Sequence, residues 1–387
     1  MIQKVSFRNY KAYRSLDLEL EPFTVLVGPN ASGKTTLLQG LQLVSGLAGE
    51  WLSEGGPVPV ERSGLQSYGV SAPVEWSISG AWNGTEGTAQ VVIEPSAQAA
   101  NVSGVYGGKR FPVRSKVRSS GMGAGLRVGN HDPLDQQFLD LCAELISTTV
   151  LRFEARKLAE ASYSEAPIPG IDSNGGGLAS VLAYLKLSQD EVFDGIEQAL
   201  RQIVPSVRRI RIERAAVEQT AIRTISLDEQ RHEVPEKRTL WGNKIVLDMR
   251  GAKGIPAEAA GEGTIMALGL LTVLLGPTKP RLVLLDDIEL GLHPAAQGKL
   301  IEVLRNIQQS DPELQIIATS HSPFILNYLD PKEVRMTFLA ENGFARCEKL
   351  TAHPEFERWK DLMSPGEFWS TVGESWLEKA GETPVHE

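Results

Sequence analysis

A glycine-rich segment near the N-terminus has the residue types and spacing needed to hold a chain of phosphates. It reads Gly28-Pro-Asn-Ala-Ser-Gly33-Lys34-Thr35, follows the apolar run Phe23-Thr-Val-Leu-Val27 and precedes a helical pattern. This context matches a phosphate loop, whose glycines let successive N–H groups and the helix N-terminus face an anion. Lys34 places a positive charge at the β/γ oxygens, and the Thr35 hydroxyl is a ligand for Mg²⁺. The predicted nucleotide-binding residues are Gly28, Pro29, Asn30, Ala31, Ser32, Gly33, Lys34, Thr35 and Thr36.

A second group of polar residues follows two apolar runs near the other end of the chain. The run Leu-Val-Leu-Leu ends in Asp286 and Asp287, and the run Ile-Ile-Ala-Thr-Ser ends in His321. Asp286 is placed to join Thr35 in the Mg²⁺ shell. Asp287 is the candidate that orients or deprotonates the attacking water, Glu289 is its possible substitute, and His321 is the candidate contact for the γ-phosphate. The phosphate loop by itself is compatible with a kinase, a GTPase or a helicase, and together the two groups predict hydrolysis of a nucleoside triphosphate with Mg²⁺ as cofactor.

The spacing of these groups predicts how the chain is divided. About 250 residues separate Lys34 from Asp286, far more than in small phosphoryl-transfer kinases, so a large insertion must lie between them. Residues 50–130 are rich in Gly, Pro, Ser and Val and contain short alternating segments typical of antiparallel strands. Helical patterns follow at 178–187 and 191–203, and strand patterns at 207–213 and 244–250. The remainder alternates apolar strand with helix, which indicates a parallel sheet.

The phosphate loop, LLDDIELGLHP and IATSHSP, in this order, resemble the ABC-type ATPases of the SMC/RecF/OLD-like group, including stand-alone AAA ATPases of anti-phage defence systems. The resemblance covers residues 1–45 and roughly 240–330. It implies an α/β fold, an ABC-type P-loop NTPase head with a mixed-sheet core, an antiparallel β subdomain and a helical insertion lobe. The implied divisions are 1–50 for the N-terminal core, 51–239 for the insertion, 240–340 for the C-terminal core and 341–387 for a tail.

In this group two heads enclose two nucleotides, and each head lends a signature loop to the γ-phosphate held by the other. The resemblance places this loop at Gly261, Glu262 and Gly263. Two departures matter. Gly261 replaces the usual signature serine, and Asp287 replaces the usual glutamate with a side chain shorter by one methylene. Because a misplaced general base costs roughly 10²–10⁴-fold in rate, we expect slow hydrolysis.

A local basic segment stands out in a chain of net charge −9. Between residues 96 and 131 there is no acidic side chain, and a basic stretch there either binds a nucleic-acid backbone or forms a solvated loop. A second cluster, Arg208, Arg209, Arg211 and Arg214, leaves the same two alternatives open. The residues of the first candidate nucleic-acid patch are Lys109, Arg110, Arg114, Lys116 and Arg118.

Composition bounds the cellular setting. The longest apolar run is far shorter than the roughly 20 residues of a membrane span, and the N-terminus lacks the apolar core of a secretory signal. The two cysteines, Cys142 and Cys347, have no CxxC spacing, which suits a reducing cytoplasm. A tail containing Trp359, Trp369 and Trp376 either anchors an interface or packs back on the core.

Three functions are compatible with these features. The first is an ATPase that forms a homodimer or higher oligomer on Mg-ATP and switches a separately encoded effector, a nuclease or toxin of anti-phage defence. The second is a RecF-like clamp that holds DNA. The third is an ATP-bound scaffold that does not hydrolyse. The role in defence rests on analogy at the level of the fold.

Overall fold

The computed structural model describes residues 1–52, 64–93, 99–117, 136–227, 230–289 and 291–372. Within them the strands are β1 Ile2–Tyr10, β2 Tyr13–Glu19, β3 Phe23–Val27, β4 Val74–Trp82, β5 Thr85–Ile93, β6 Ala99–Tyr106, β7 Lys109–Val117, β8 Thr148–Leu151, β9 Val207–Leu227, β10 Gln230–Met249, β11 Ala252–Pro256, β12 Leu282–Leu285, β13 Gln315–Ser320, β14 Val334–Leu339 and β15 Ala345–Lys349. The helices are α1 Lys34–Leu52, α2 Gln136–Ile146, α3 Ala155–Ala159, α4 Leu178–Ser188, α5 Asp190–Ile203, α6 Glu262–Leu275, α7 Pro294–Ser310, α8 Pro323–Leu326, α9 Phe356–Trp359 and α10 Pro365–Val372.

The chain divides into two compact units, one of Met1–Val150, Pro280–Glu289 and Leu304–Glu387, the other of Leu151–Lys279 and Leu290–Val303. The predicted insertion, residues 51–239, is shared between both units. Its predicted end falls inside β10, because the strand pattern at 244–250 is the last part of a much longer strand.

A mixed sheet in the first unit brings the chemical residues to one edge. Its strand order is β15-β14-β3-β13-β12-β8, and β3, β13, β12 and β14 run parallel where they pair. All five residues of β3, all four of β12 and all six of β13 are buried, as expected for strands covered on both faces. The segments that follow β3, β12 and β13 therefore emerge side by side.

The antiparallel subdomain predicted for the glycine-rich region is also present in the first unit. Its order is β2-β1-β4-β5-β6-β7, with every neighbouring pair antiparallel. β4 alternates strictly between buried and half-buried residues, which indicates one face toward a core. Phe7, Tyr10 and Trp76 form part of that core, with ring centroids 5.3 Å apart for the first pair and 5.1 Å for the second.

The second unit combines helices with a long hairpin. Helix α5 buries Phe193, Ile196, Leu200 and Ile203 along one stripe, whereas α6 is apolar and buried over most of its length. Strands β9 and β10 pair from Val207 with Met249 to Leu227 with Gln230. The pattern predicted only the base of this hairpin. The outer part of the hairpin mixes polar and apolar residues without a clear period. Backbone hydrogen bonds between the two strands hold its register, so the pairing does not require an alternating apolar pattern.

Gly242, near the middle of β10, is required where the hairpin meets Ser162. A Cβ at this position would lie 2.3 Å from the Ser162 carbonyl oxygen and 2.8 Å from the Val217 side chain. Ser162 and Asn243 exchange two backbone hydrogen bonds, each 2.9 Å long. We expect Gly242→Ala to lower the free energy of unfolding in urea by about 1–3 kcal/mol, because the strand must move away from Ser162.

Gly195→Ala provides the matched control for that substitution. Gly195 is exposed within α5 and has no atom within 4 Å of an added Cβ, so alanine should raise stability by about 0.5–1 kcal/mol. Equal midpoints for the wild type and Gly242→Ala would contradict the contact with Ser162.

The described part of the tail belongs to the first unit and contacts it through the Gly366 N–H, which donates to Asn327 Oδ1 at 2.9 Å. Phe368, which is buried, lies edge-on to Phe356 at 6.0 Å and to His353 at 5.0 Å between ring centroids. Trp376 lies outside the described residues. Among those residues, no helix combines the length and the apolar character that a membrane span requires.

Candidate functional site

The phosphate loop joins the end of β3 to the start of α1 and adopts a conformation that depends on glycine. Gly28 has φ 152°, Gly33 has φ 97° and Ala31 has φ 63°. A Cβ on Gly28 would lie 2.1 Å from the Thr337 carbonyl oxygen, so only glycine fits against β14 at this point. The loop is thus shaped by its own backbone and by the neighbouring strand.

Three buried hydroxyl contacts support the loop from behind. The hydroxyls of Ser32 and Thr337 are 2.6 Å apart, and Thr337 Oγ1 also donates to the Val27 carbonyl at 3.0 Å. Tyr13 donates its hydroxyl to the Gly33 carbonyl at 3.2 Å. Burial raises the pKa of Tyr13, so its phenol stays protonated and remains a donor. These contacts fix the loop before a ligand binds.

Lys34 lies at the mouth of the loop with a largely buried side chain. Its Nζ donates to the carbonyl oxygens of Gly28 and Pro29, each at 2.8 Å. An open pocket of about 480 Å³ adjoins the loop. It is lined by Ala12, Asn30, Ala31, Ser32, Gly33, Lys34, Thr35, Thr36 and His321. The pocket thus brings His321 and the predicted loop residues together.

Thr35 and Asp286 form an oxygen pair suited to Mg²⁺. Thr35 Oγ1 lies 3.3 Å from Asp286 Oδ1 and 3.2 Å from Oδ2. Neighbouring ligands of an octahedral Mg²⁺, bound at about 2.0–2.1 Å, are about 3 Å apart, and hard oxygens are its preferred ligands. No cluster of three His, Cys, Asp or Glu side chains that could hold a metal occurs in the described residues. The pair therefore fits a magnesium site completed by phosphate and water oxygens.

Asp287, Glu289 and His321 meet beside this pair. Asp287 has φ 57° and an exposed carboxylate, and its Oδ1 lies 3.7 Å from His321 Nε2. Glu289 Oε1 accepts a hydrogen bond from the His321 backbone N–H. Glu289 Oε2 is buried and has no hydrogen-bond partner among the described residues. The ring of His321 is thus near Asp287, whereas its backbone is tied to Glu289.

Comparisons with known proteins point to ATPase domains. Residues 155–327 match the family described as "AAA domain, putative AbiEii toxin, Type IV TA system", and residues 1–50 match one described as "AAA ATPase domain". A 46-residue stretch is 41% identical to an OLD nuclease of Thermus scotoductus, which is 12% of this chain and 9% of that protein.

Solved structures give the fold. An SMC head bound to the C-winged helix domain of ScpA superposes with a TM-score of 0.54 at 15% identity, over 92% of this chain and 99% of that one. An Smc head with a coiled coil and joint from Pyrococcus yayanosii gives 0.50 at 11% identity, over 93% and 99%. The two domain matches and the shared fold support the resemblance to ABC-type ATPases of the SMC/RecF/OLD-like group. The predicted fold class is thereby confirmed.

The candidate signature segment of the ATPase lies in its second unit. Gly261 is the N-cap of α6, and both Gly261 and Glu262 are exposed. Gly263 is buried, and a Cβ on Gly291 would lie 4.0 Å from its N–H nitrogen. Gly291 thus lies beside the start of α6 within the second unit. His293, two residues after Gly291, has a structural contact at the start of α7, where its Nδ1 accepts a hydrogen bond from the Ala295 N–H at 3.3 Å.

The basic residues of the ATPase are only partly gathered. Lys109 and Arg110 are exposed at the start of β7, Arg114 and Lys116 belong to the same strand, and Arg118 lies outside the described residues. In the second cluster Arg211 is ion-paired with Glu213 at 3.7 Å and with Asp248 at 3.5 Å. Those pairs neutralise part of the charge that a phosphate track would need.

Sequence reasoning missed the hydroxyl residues that hold the ATPase site together. Tyr13, Thr319 and Thr337 are each completely buried. The available signal was a threonine next to apolar residues of a strand: Thr319 follows Ile-Ile-Ala in QIIATS, and Thr337 lies between Met and Phe in VRMTFL. A buried hydroxyl must find a hydrogen-bond partner, so such a threonine points to a polar neighbour.

Proposed function

We propose that this ATPase is a nucleotide-gated switch. It binds Mg-ATP at the phosphate loop, joins a second copy around the nucleotide, hydrolyses slowly, and so controls a separately encoded nuclease or toxin of an anti-phage defence system in the cytoplasm. The observation that carries the proposal is the 3.2–3.3 Å approach of Thr35 and Asp286 beside the loop that holds Lys34. It unites the phosphate and metal ligands from distant parts of the chain.

The residues around the pocket divide the work of hydrolysis. Mg²⁺ bound by Thr35 and Asp286 would neutralise charge on the phosphates. Lys34, whose Nζ already lies within the loop, donates to the phosphate oxygens. Asp287 accepts a proton from the attacking water, and His321, 3.7 Å from that carboxylate, orients it and contacts the γ-phosphate. The short side chain of Asp287 holds the water less well than glutamate would, which supports slow turnover.

Exposed backbone in the second unit supports a dimer. Helix α6 starts at Gly261 without a side-chain cap, and Gly261 and Glu262 are exposed there. The first N–H groups of a helix have no partner within the helix and favour an anion. In the proposed dimer they contact the γ-phosphate held by the other copy, in place of the missing serine.

The comparisons support a partner that receives the signal. The SMC head is named as bound to a winged-helix domain of another protein, and the OLD protein is named as a nuclease. The matched segment is only 9% of the OLD nuclease. The nuclease or toxin activity is assigned to a separately encoded protein as part of this proposal.

Light scattering with single-turnover kinetics tests the proposal. With Mg-ATP the mass should double, while ADP or ATP with EDTA should leave it unchanged, and turnover should stay below about 1 s⁻¹, the low end of ordinary enzymes. A monomer at saturating Mg-ATP, or faster turnover without a partner, would contradict the switch. Strong stimulation of ATP hydrolysis by DNA would instead favour the RecF-like clamp. A stable complex that binds ATP without turnover would favour the scaffold.

A further inference from the structure

Thr319 lies between the strands that lead to the phosphate loop and to the metal ligand. It belongs to β13, which pairs with β3 through Thr319 and Leu26 and with β12 through Ala318 and Leu285. Its side chain has no exposed surface. No nucleotide atom can therefore reach it directly, and any effect on the chemistry must pass through its neighbours.

This threonine contacts three consecutive residues after β12. Its Oγ1 donates to Asp286 Oδ1 at 2.7 Å and accepts from the Asp287 N–H at 2.8 Å. Its carbonyl accepts from the Ile288 N–H at 2.9 Å. A single hydroxyl thus acts as donor to the carboxylate of one residue and as acceptor from the amide of the next.

Both contacts constrain the chemistry of the site. The bond to Oδ1 fixes the rotation of the Asp286 carboxylate, whose oxygens face Thr35 Oγ1. The bond to the Asp287 amide supports a left-handed backbone, φ 57°, which is uncommon outside glycine. That backbone turns the Asp287 carboxylate toward His321.

We propose that Thr319 is a positioning residue, one that aligns the magnesium ligand Asp286 and the candidate base Asp287 with a single hydroxyl. The role rests on the proposed ATPase function and deepens it. Valine has the same shape without either hydrogen-bonding group, whereas serine keeps the hydroxyl but lacks the methyl that restricts χ1. A purely structural threonine would tolerate both replacements equally well with respect to nucleotide and metal.

The test compares Thr319→Val and Thr319→Ser with Thr24→Val. Thr24 is also completely buried, lies on β3 of the same sheet, and bonds the Glu21 carbonyl at 3.0 Å away from the site. Two quantities are measured: the ratio of ATP dissociation constants without and with Mg²⁺, and the single-turnover rate.

For Thr319→Val we expect the ATP dissociation constant in EDTA to stay within about threefold of the wild-type value. The ratio of the ATP dissociation constants without and with Mg²⁺ should fall by about 10–100-fold, and the single-turnover rate should fall by the same factor. This range is that of a lost hydrogen bond to a charged group. Thr319→Ser and Thr24→Val should stay within about threefold of wild type in both quantities.

The outcomes separate the positioning role from the ATPase function itself. If wild type binds ATP and Thr319→Val matches Thr24→Val, Thr319 has no positioning role although the ATPase stands. If wild type fails to bind ATP with Mg²⁺, the proposed function fails instead. Should Thr319→Val not fold, Thr319→Ala is compared with Thr24→Ala in the same way, and equal values for the two overturn the role.

Discussion

Replacing Lys34 with alanine should weaken ATP binding by about 30-fold to several thousand-fold. Removing one partner of a buried, hydrogen-bonded charge pair costs about 2–5 kcal/mol, and about 1.4 kcal/mol corresponds to a factor of ten. The Lys34 side chain is largely buried and its Nζ already lies within the loop, 2.8 Å from two carbonyl oxygens, so little ordering is needed when phosphate arrives.

Isothermal titration of ATP with Mg²⁺ measures this loss, with Lys349→Ala as the matched control. Lys349 lies on β15, is paired with Glu19 of β2, and lies outside the candidate site. Its replacement by alanine should therefore leave the ATP dissociation constant unchanged. An affinity of Lys34→Ala within about threefold of wild type, less than the loss of one charged hydrogen bond, would mean that the nucleotide binds elsewhere.

The conformation and the phosphate-binding role of the segment around Lys34 were predictable, because the local sequence determines both. A short, β-branched apolar run followed by turn glycines is typical of a strand buried on both faces, and the glycines define the turn into a helix. The same reasoning located β12 and β13 and hence Asp286 and His321 at their ends. Parallel neighbours in a sheet bring their carboxyl ends together, which is why residues about 250 positions apart meet.

The supporting contacts were not predictable, since they depend on which strands are neighbours. Thr337 reaches the phosphate loop only because β14 lies beside β3, and Thr319 reaches Asp286 only because β13 lies beside β12. The left-handed turn at Asp287 likewise follows from bonds to Thr319 rather than from the local sequence DDIEL. The long hairpin was underestimated for a related reason, because β9 and β10 each have their hydrogen-bonding partner in the other strand.

Replacing Asp287 with asparagine should lower single-turnover hydrolysis by about 10²–10⁴-fold while leaving Mg-ATP binding nearly unchanged, because it removes a general base. Asparagine tolerates the left-handed backbone that Asp287 adopts, so the turn should persist. Glu289→Gln is the matched comparison. Glutamine still offers Oε1 to the His321 N–H, so the loop keeps its contact and the rate should change little.

The same pair of variants distinguishes two assignments of the base. Glu289 Oε2 is buried without a partner among the described residues, which makes it the competing proton acceptor. If Glu289→Gln abolishes hydrolysis and Asp287→Asn does not, Glu289 is the base.

If Asp287 is the base, Asp287→Glu should speed hydrolysis, because one more methylene, about 1.5 Å of bond length, restores the reach of glutamate. A slower Asp287→Glu enzyme would show that the turn around Thr319 is built for the shorter carboxylate.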